Sequence, residues 1–155
     1  MNGYNSTSGP PKKNRQDKNP NTSILKEIIR SEAWHALRGN APQVYTMFLL
    51  ERSWVKTGKK GIEKWKCDNE SRIMLPYRQA QKDYGYSVKK FKGCIDNLIK
   101  CGFLDIVEHG IAYNRVPTVY ALSDRWRNFG KTNFVKAERQ KGPCGYPSRY
   151  PKTEV

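Results

Sequence analysis

The stretch Arg78–Leu104, RQAQKDYGYSVKKFKGCIDNLIKCGFL, decides how the rest of the chain is read. Pro76–Tyr84 predicts a short helix, Gly85-Tyr86-Ser87 a tight turn, and Val88–Cys101 a second helix. Ser87 suits the N-cap, because its hydroxyl oxygen can accept from the free backbone N–H of Lys89 or Lys90. Val88, Phe91, Ile95, Leu98 and Ile99 recur at steps of three and four and so share one helical face. Lys89, Lys90, Lys92, Asp96, Asn97 and Lys100 take the other face. Gly102 follows where helices commonly exit through a left-handed residue. Two amphipathic helices joined this tightly predict a helix-turn-helix, with helix 87–101 turning its lysines outward.

The following residues extend the pattern. Phe103-Leu104-Asp105-Ile106-Val107-Glu108 is β-rich, His109 to Pro117 is turn-prone, and Thr118–Leu122 alternates with β-branched and aromatic residues. This predicts a β-hairpin with an irregular tip. Helix, turn, helix, hairpin is the order of a winged helix. At residue level, Gly85-Tyr86-Ser87, Phe91, Cys94-Ile95, Leu98 and Lys100-Cys101-Gly102-Phe103-Leu104 resemble the corresponding run of MarR-like winged-helix regulators and of winged-helix phage and plasmid replication proteins. The resemblance covers about a third of the chain. It departs at Tyr86, where those regulators usually carry a small or branched residue. It implies an α+β winged helix-turn-helix that binds double-stranded DNA in transcription regulation or DNA replication of a bacterial or phage system.

Charge points the same way. The chain has 155 residues and a net charge of +15, from 29 Lys+Arg against 14 Asp+Glu. So large an excess in a small basic protein favours a polyanionic partner, nucleic acid by default. Residues 1–22 hold four basic residues against one acidic, and residues 125–155 hold eight against two, so the ends are the richest in positive charge. Both ends are polar and Pro/Gly-rich with few aliphatics. The expected organisation is therefore a disordered basic arm at 1–22, a winged helix domain at 23–130 and a basic flexible tail at 131–155. Within the domain the helix-turn-helix occupies 76–102 and the wing 103–123.

Upstream, Ser23–Leu37 predicts one helix capped by Ser23. Its broad apolar face around Trp34 is the surface expected to form a homodimer, since two-fold dimers are common in this class. Asn40-Ala41-Pro42-Gln43 has the form of a capping box opening a strongly apolar helix, Pro42–Trp54. Val55–Gly61 reads as a basic loop. Lys64–Cys67 and Arg72–Leu75 read as a small hairpin around Asp68–Ser71, its second half joining the wing sheet.

The candidate DNA-binding residues follow from these placements. Ser87, Lys89, Lys90, Lys92 and Asn97 lie on the helix expected in the major groove, the lysines as phosphate contacts and Asn97 as a base reader or a merely hydrated residue. Arg78, Gln79 and Lys82 lie on the preceding helix, which crosses the backbone in such motifs. Tyr113 and Arg115 lie at the wing tip, with Arg115 reaching a minor groove as the resemblance implies. The competing reading of each is a solvated surface residue.

The sequence offers no catalytic motif, so no enzyme is expected, and His35 and His109 lack neighbours at metal-ligand spacing, so no cofactor or metal is expected. No run approaches the roughly 20 apolar residues of a membrane span. The N-terminus lacks a signal core, and Cys67, Cys94, Cys101 and Cys144 form no C-x-x-C pair. Cys94 and Cys101 lie about 10 Å apart along one helix and cannot bridge within it. Reduced thiols in a cytoplasmic protein are the simpler account. Two other functions fit the same residues: a winged-helix module that docks on a protein partner, and an RNA-binding protein that works through its basic tails.

Overall fold

The computed structural model describes residues 22–111 and 115–139. The chain is α+β, with helices α1 (Lys26–Ile29), α2 (Glu32–His35), α3 (Ala41–Leu50), α4 (Tyr77–Tyr84) and α5 (Val88–Cys101). Strands β1 (Trp54–Thr57) and β2 (Lys64–Cys67) form one antiparallel pair. Strands β3 (Ile73–Met74), β4 (Leu104–Glu108) and β5 (Val119–Leu122) form a second antiparallel sheet in the order β3-β5-β4. A 3-10 turn, Arg125–Asn128, follows.

The segment 76–104 folds as its local signals dictate. Gly85 takes the left-handed conformation that ends α4 (φ 72°), and Ser87 Oγ accepts from the Lys90 N–H at 3.3 Å to start α5. Phe91, Ile95 and Leu98 are fully buried against α3 and its neighbours. Gly102 ends α5 at φ 87°. The Gly102 N–H donates to Ile99 O and the Phe103 N–H to Leu98 O, the paired bonds of a Schellman exit. A side chain at Gly102 is doubly excluded, because a Cβ there would sit 2.6 Å from the Trp126 backbone nitrogen.

Tyr86, the residue that departs from the resembled families, is buried and packs edge-on against Phe91. Its hydroxyl donates to Gln43 Oε1 at 2.8 Å and accepts from Asn40 Nδ2 at 3.2 Å. The larger ring thus ties the turn to the start of α3. Asn40 and Gln43 do meet, at 2.7 Å, but side chain to side chain, so the expected capping box does not form.

Four expectations need correction. Ser23–Leu37 is not one helix: Ser31 Oγ donates to Ile28 O and accepts from the Trp34 N–H, which breaks the stretch into α1 and α2. Trp34 turns partly inward, edge-on to Tyr45 and Phe103, while Leu25 and Ile29 from the same stretch stay exposed. Helix α3 ends at Leu50 rather than Trp54, because Asn69 accepts from the Ser53 N–H and donates to Glu51 O, turning the chain outward. The supposed loop from Val55 therefore starts as a strand, and β2 pairs with β1 instead of with 72–75. Ile73-Met74 pairs with β5, joining the second sheet as expected.

The stretch 131–139, expected as the beginning of a flexible tail, lies against the domain. Arg139 Nε donates to Asp96 Oδ1 at 2.6 Å, and its Nη1 donates to the Tyr77 hydroxyl at 3.1 Å. Arg125 holds the same stretch by donating to Val135 O, while its other nitrogens reach Ile99 O, Leu104 O and Asp105. The remainder of both expected arms, 1–21 and 140–155, lies outside the described residues.

Two measurements check this packing. Gly102→Ala combines left-handed strain with the Trp126 clash, and urea denaturation should show a loss of about 2 kcal/mol or more. Burial pushes the Cys94 and Cys101 thiols up from their ordinary value, against the pull of Lys90 and Arg38 respectively. Thiolate is therefore scarce at neutral pH. Iodoacetamide labelling of both, mapped by mass spectrometry, should be slow in the native protein, quicken as pH rises, and become fast on unfolding.

Candidate nucleic-acid interface

Helix α5 buries one face and presents Lys89, Lys90, Lys92, Gly93 and Lys100 on the other, all exposed. Its first turn contains no acidic residue, although that end carries the positive pole of the helix dipole. Lys89 and Lys90 add to that charge instead of offsetting it. Across 78–92 five basic residues stand against Asp83 alone. Among the described residues Lys89, Lys90 and Lys92 form no ion pair; the Lys90 ammonium lies 5.6 Å from the centre of the Tyr86 ring.

Gly93 sits in the middle of this outward face, with nothing within 4 Å of where a Cβ would be. A glycine in a helix interior costs roughly 0.5–1 kcal/mol relative to alanine. No neighbour among the described residues requires it. The bare position lets an external surface approach the helix backbone between the lysines.

A groove of about 750 Å³ runs between the start of α4, the flank of α5 and the β4–β5 hairpin. Arg78, Lys92 and Arg115 come to it from three separate elements, joined by His109 and Arg139. Arg115, at the hairpin tip, holds a left-handed backbone (φ 56°) next to the Ile111–Val116 bridge that closes the tip. Tyr120 lines the groove from β5. Its hydroxyl and the Nη2 of Arg139 are buried without a hydrogen-bond partner among the described residues. Burial pushes the Tyr120 phenol up to about 12, with Arg139 and Thr118 close enough to oppose the shift but not in good hydrogen-bond geometry. Tyr120 is therefore a neutral donor, and Arg139 a cation with a spare N–H.

The predicted residues fall into four groups. Arg78, Lys92 and Arg115 share the groove, while Ser87, Lys89 and Lys90 lie exposed at or near the start of α5, and Lys82 is exposed one turn along α4 from Arg78. Gln79 and Asn97 are tied into the domain. Gln79 Nε2 donates to Glu51 Oε1 at 3.3 Å, and Asn97 Oδ1 accepts from the Arg38 N–H at 2.9 Å. Tyr113 lies outside the described residues. Arg139, Tyr120 and Gly93 were not anticipated. Only Gly93, an unexplained glycine in a helical run, carried a local signal.

Among the described residues no group of three or more His, Cys, Asp or Glu could hold a metal ion, and no helix is long and apolar enough to cross a membrane. Compared with protein-family models, curated proteins and solved structures, the chain matches none.

The division among the predicted residues is testable. Asn97→Ala should lower stability by at most about 1 kcal/mol through loss of the bond to the solvent-accessible Arg38 N–H, and leave nucleic-acid affinity unchanged. Chemical denaturation and a binding titration on the same variant measure both quantities.

Proposed function

We propose that this is a nucleic-acid-binding domain of the winged helix-turn-helix class, and that its partner is double-stranded DNA. Helix α5 enters the major groove, α4 crosses the backbone and the β4–β5 hairpin acts as the wing. The observation that carries this reading is the convergence of Arg78, Lys92 and Arg115 from three elements on one groove beside the lysine face of α5. Lysines contact phosphates more than bases, so the interface favours affinity and salt dependence over stringent sequence choice. Gly93 allows the close approach. A role in transcription regulation or replication initiation of a bacterial, phage or plasmid system rests on the resemblance described above. A homodimer or a protein partner is compatible with it, but no further surface is assigned to either.

Binding to random-sequence duplex DNA across a salt series tests the proposal. The Lys89→Ala/Lys90→Ala/Lys92→Ala variant should bind more weakly, and its log–log salt slope should become shallower by roughly one for each phosphate that is no longer neutralised. An unchanged slope would remove α5 from the interface. Gly93→Ala separates binding from folding: stability should rise by about 0.5–1 kcal/mol while duplex affinity falls several-fold. If both rise, the glycine serves no approach.

A further inference from the structure

The β1–β2 hairpin takes no part in the site described above; none of its residues lines the α4–α5 groove. Its fourteen residues, WVKTGKKGIEKWKC, hold five lysines and one acid. The acid, Glu63, is paired with Lys56 at 3.4 Å. Lys59 and Lys60 at the tip and Lys64 and Lys66 on β2 are exposed.

The strand register sorts the remaining side chains. Directly opposed residues share a face, and the pairs Trp54–Cys67 and Lys56–Trp65 alternate with Val55–Lys66 and Thr57–Lys64. Val55, Thr57 and Lys66 look into a concavity against Leu25, Leu49 and Arg127. The opposite face presents two tryptophans on diagonal positions. The Arg52 guanidinium lies 5.0 Å from the Trp54 ring centre, and the Lys56 ammonium 5.2 Å from that of Trp65. Trp65 is nevertheless 63% exposed, and Ile62 beside the tip is 71% exposed. An indole of that exposure on a lysine-rich ribbon serves no core.

We infer that the β1–β2 hairpin is a second nucleic-acid site, which takes an unpaired strand with a base stacked on Trp65 and its phosphates along Lys59 and Lys60 at the tip. Every base offers a flat face, so stacking on an indole is tolerant of sequence, and the lysines supply the backbone charge. A paired duplex hides its base faces and cannot use Trp65 in this way. The site therefore selects unpaired strands, whereas the α5 face is proposed to take a duplex. This inference shares with the duplex-DNA reading only the polyanionic nature of the partner.

The test uses the full chain and five probes: oligothymidylate, oligouridylate, a blunt duplex, that duplex with a single-stranded thymidine extension, and phosphatidylserine vesicles. Wild type should bind the extended duplex more tightly than the blunt one. Trp65→Ala should weaken binding to oligothymidylate by about 5- to 100-fold and abolish the gain from the extension, with blunt-duplex affinity and thermal melting unchanged. Trp65→Phe should keep most of the binding, and Lys59→Ala/Lys60→Ala should flatten its salt dependence. Comparison of the two oligonucleotides assigns the strand as DNA or RNA. Equal affinity of wild type and Trp65→Ala for both oligonucleotides overturns the inference. So does a Trp65 dependence seen only with phosphatidylserine vesicles. If the blunt duplex fails to bind while oligonucleotide binding still needs Trp65, the hairpin site stands and the duplex-DNA reading falls.

Discussion

The exit of α5 at Gly102 is the constraint on which the rest of the domain depends. Within a few residues the Ile99 carbonyl accepts from both the Gly102 N–H and the Arg125 guanidinium, and the Gly102 carbonyl accepts from the Trp126 N–H. Phe103, next in line, is fully buried and stacks on Trp126 with the rings 11° from parallel. The end of α5, the start of β4 and the return of the chain after β5 are thus fixed together. No side chain fits between them. A helix end without capping partners leaves several carbonyls unsatisfied, and here a guanidinium from a distant turn meets that need.

The basic residues divide by what they touch. Arg125 and Arg139 are engaged in holding the fold, each through a planar fork that reaches more than one acceptor, and Arg127 pairs at the surface with Glu27. The lysines of α5 and of the β1–β2 hairpin project outward on flexible stems, and apart from the Lys56–Glu63 and Lys100–Glu138 pairs they form no ion pair among the described residues. The net charge of +15 is therefore not evenly available. Arg125, Arg127 and Arg139 are spent within the domain, whereas Arg78, Arg115 and most of the exposed lysines form no ion pair among the described residues.

The α4–α5 segment was legible because its determinants are local. Ser87, Gly85 and Gly102 mark the helix ends, and the apolar period between them names the buried face. Elements whose partners lie far along the chain were not. Nothing near Val55 shows that Asn69 ends α3, and the pairing of β1 with β2 was hidden by a lysine-rich composition that resembles a loop. Asn97 stood among polar outward residues, yet its bond is to Arg38, 59 positions away. Arg139 lay in a stretch with too few aliphatics for a core, and it is held by charge to Asp96, 43 positions away. Of the candidate site, the lysines and Arg78 and Arg115 followed from helix and hairpin placement. The groove that joins them required the tertiary arrangement.

Helix α5 is restrained at both ends and in the middle. Tyr86 ties its approach to α3, Arg139 holds Asp96, Arg38 holds Asn97, and the Gly102 exit fixes its end. A helix held in this way has no ordering cost to meet when a ligand arrives; only lysine rotamers are immobilised. Such a surface is preorganised, and it has little freedom to tilt towards a poorly matched partner. Any mutual adjustment falls to the partner or to the hairpin tip around Arg115. Under the duplex-DNA proposal, so rigid a surface would select by the shape and deformability of the duplex as much as by direct contact.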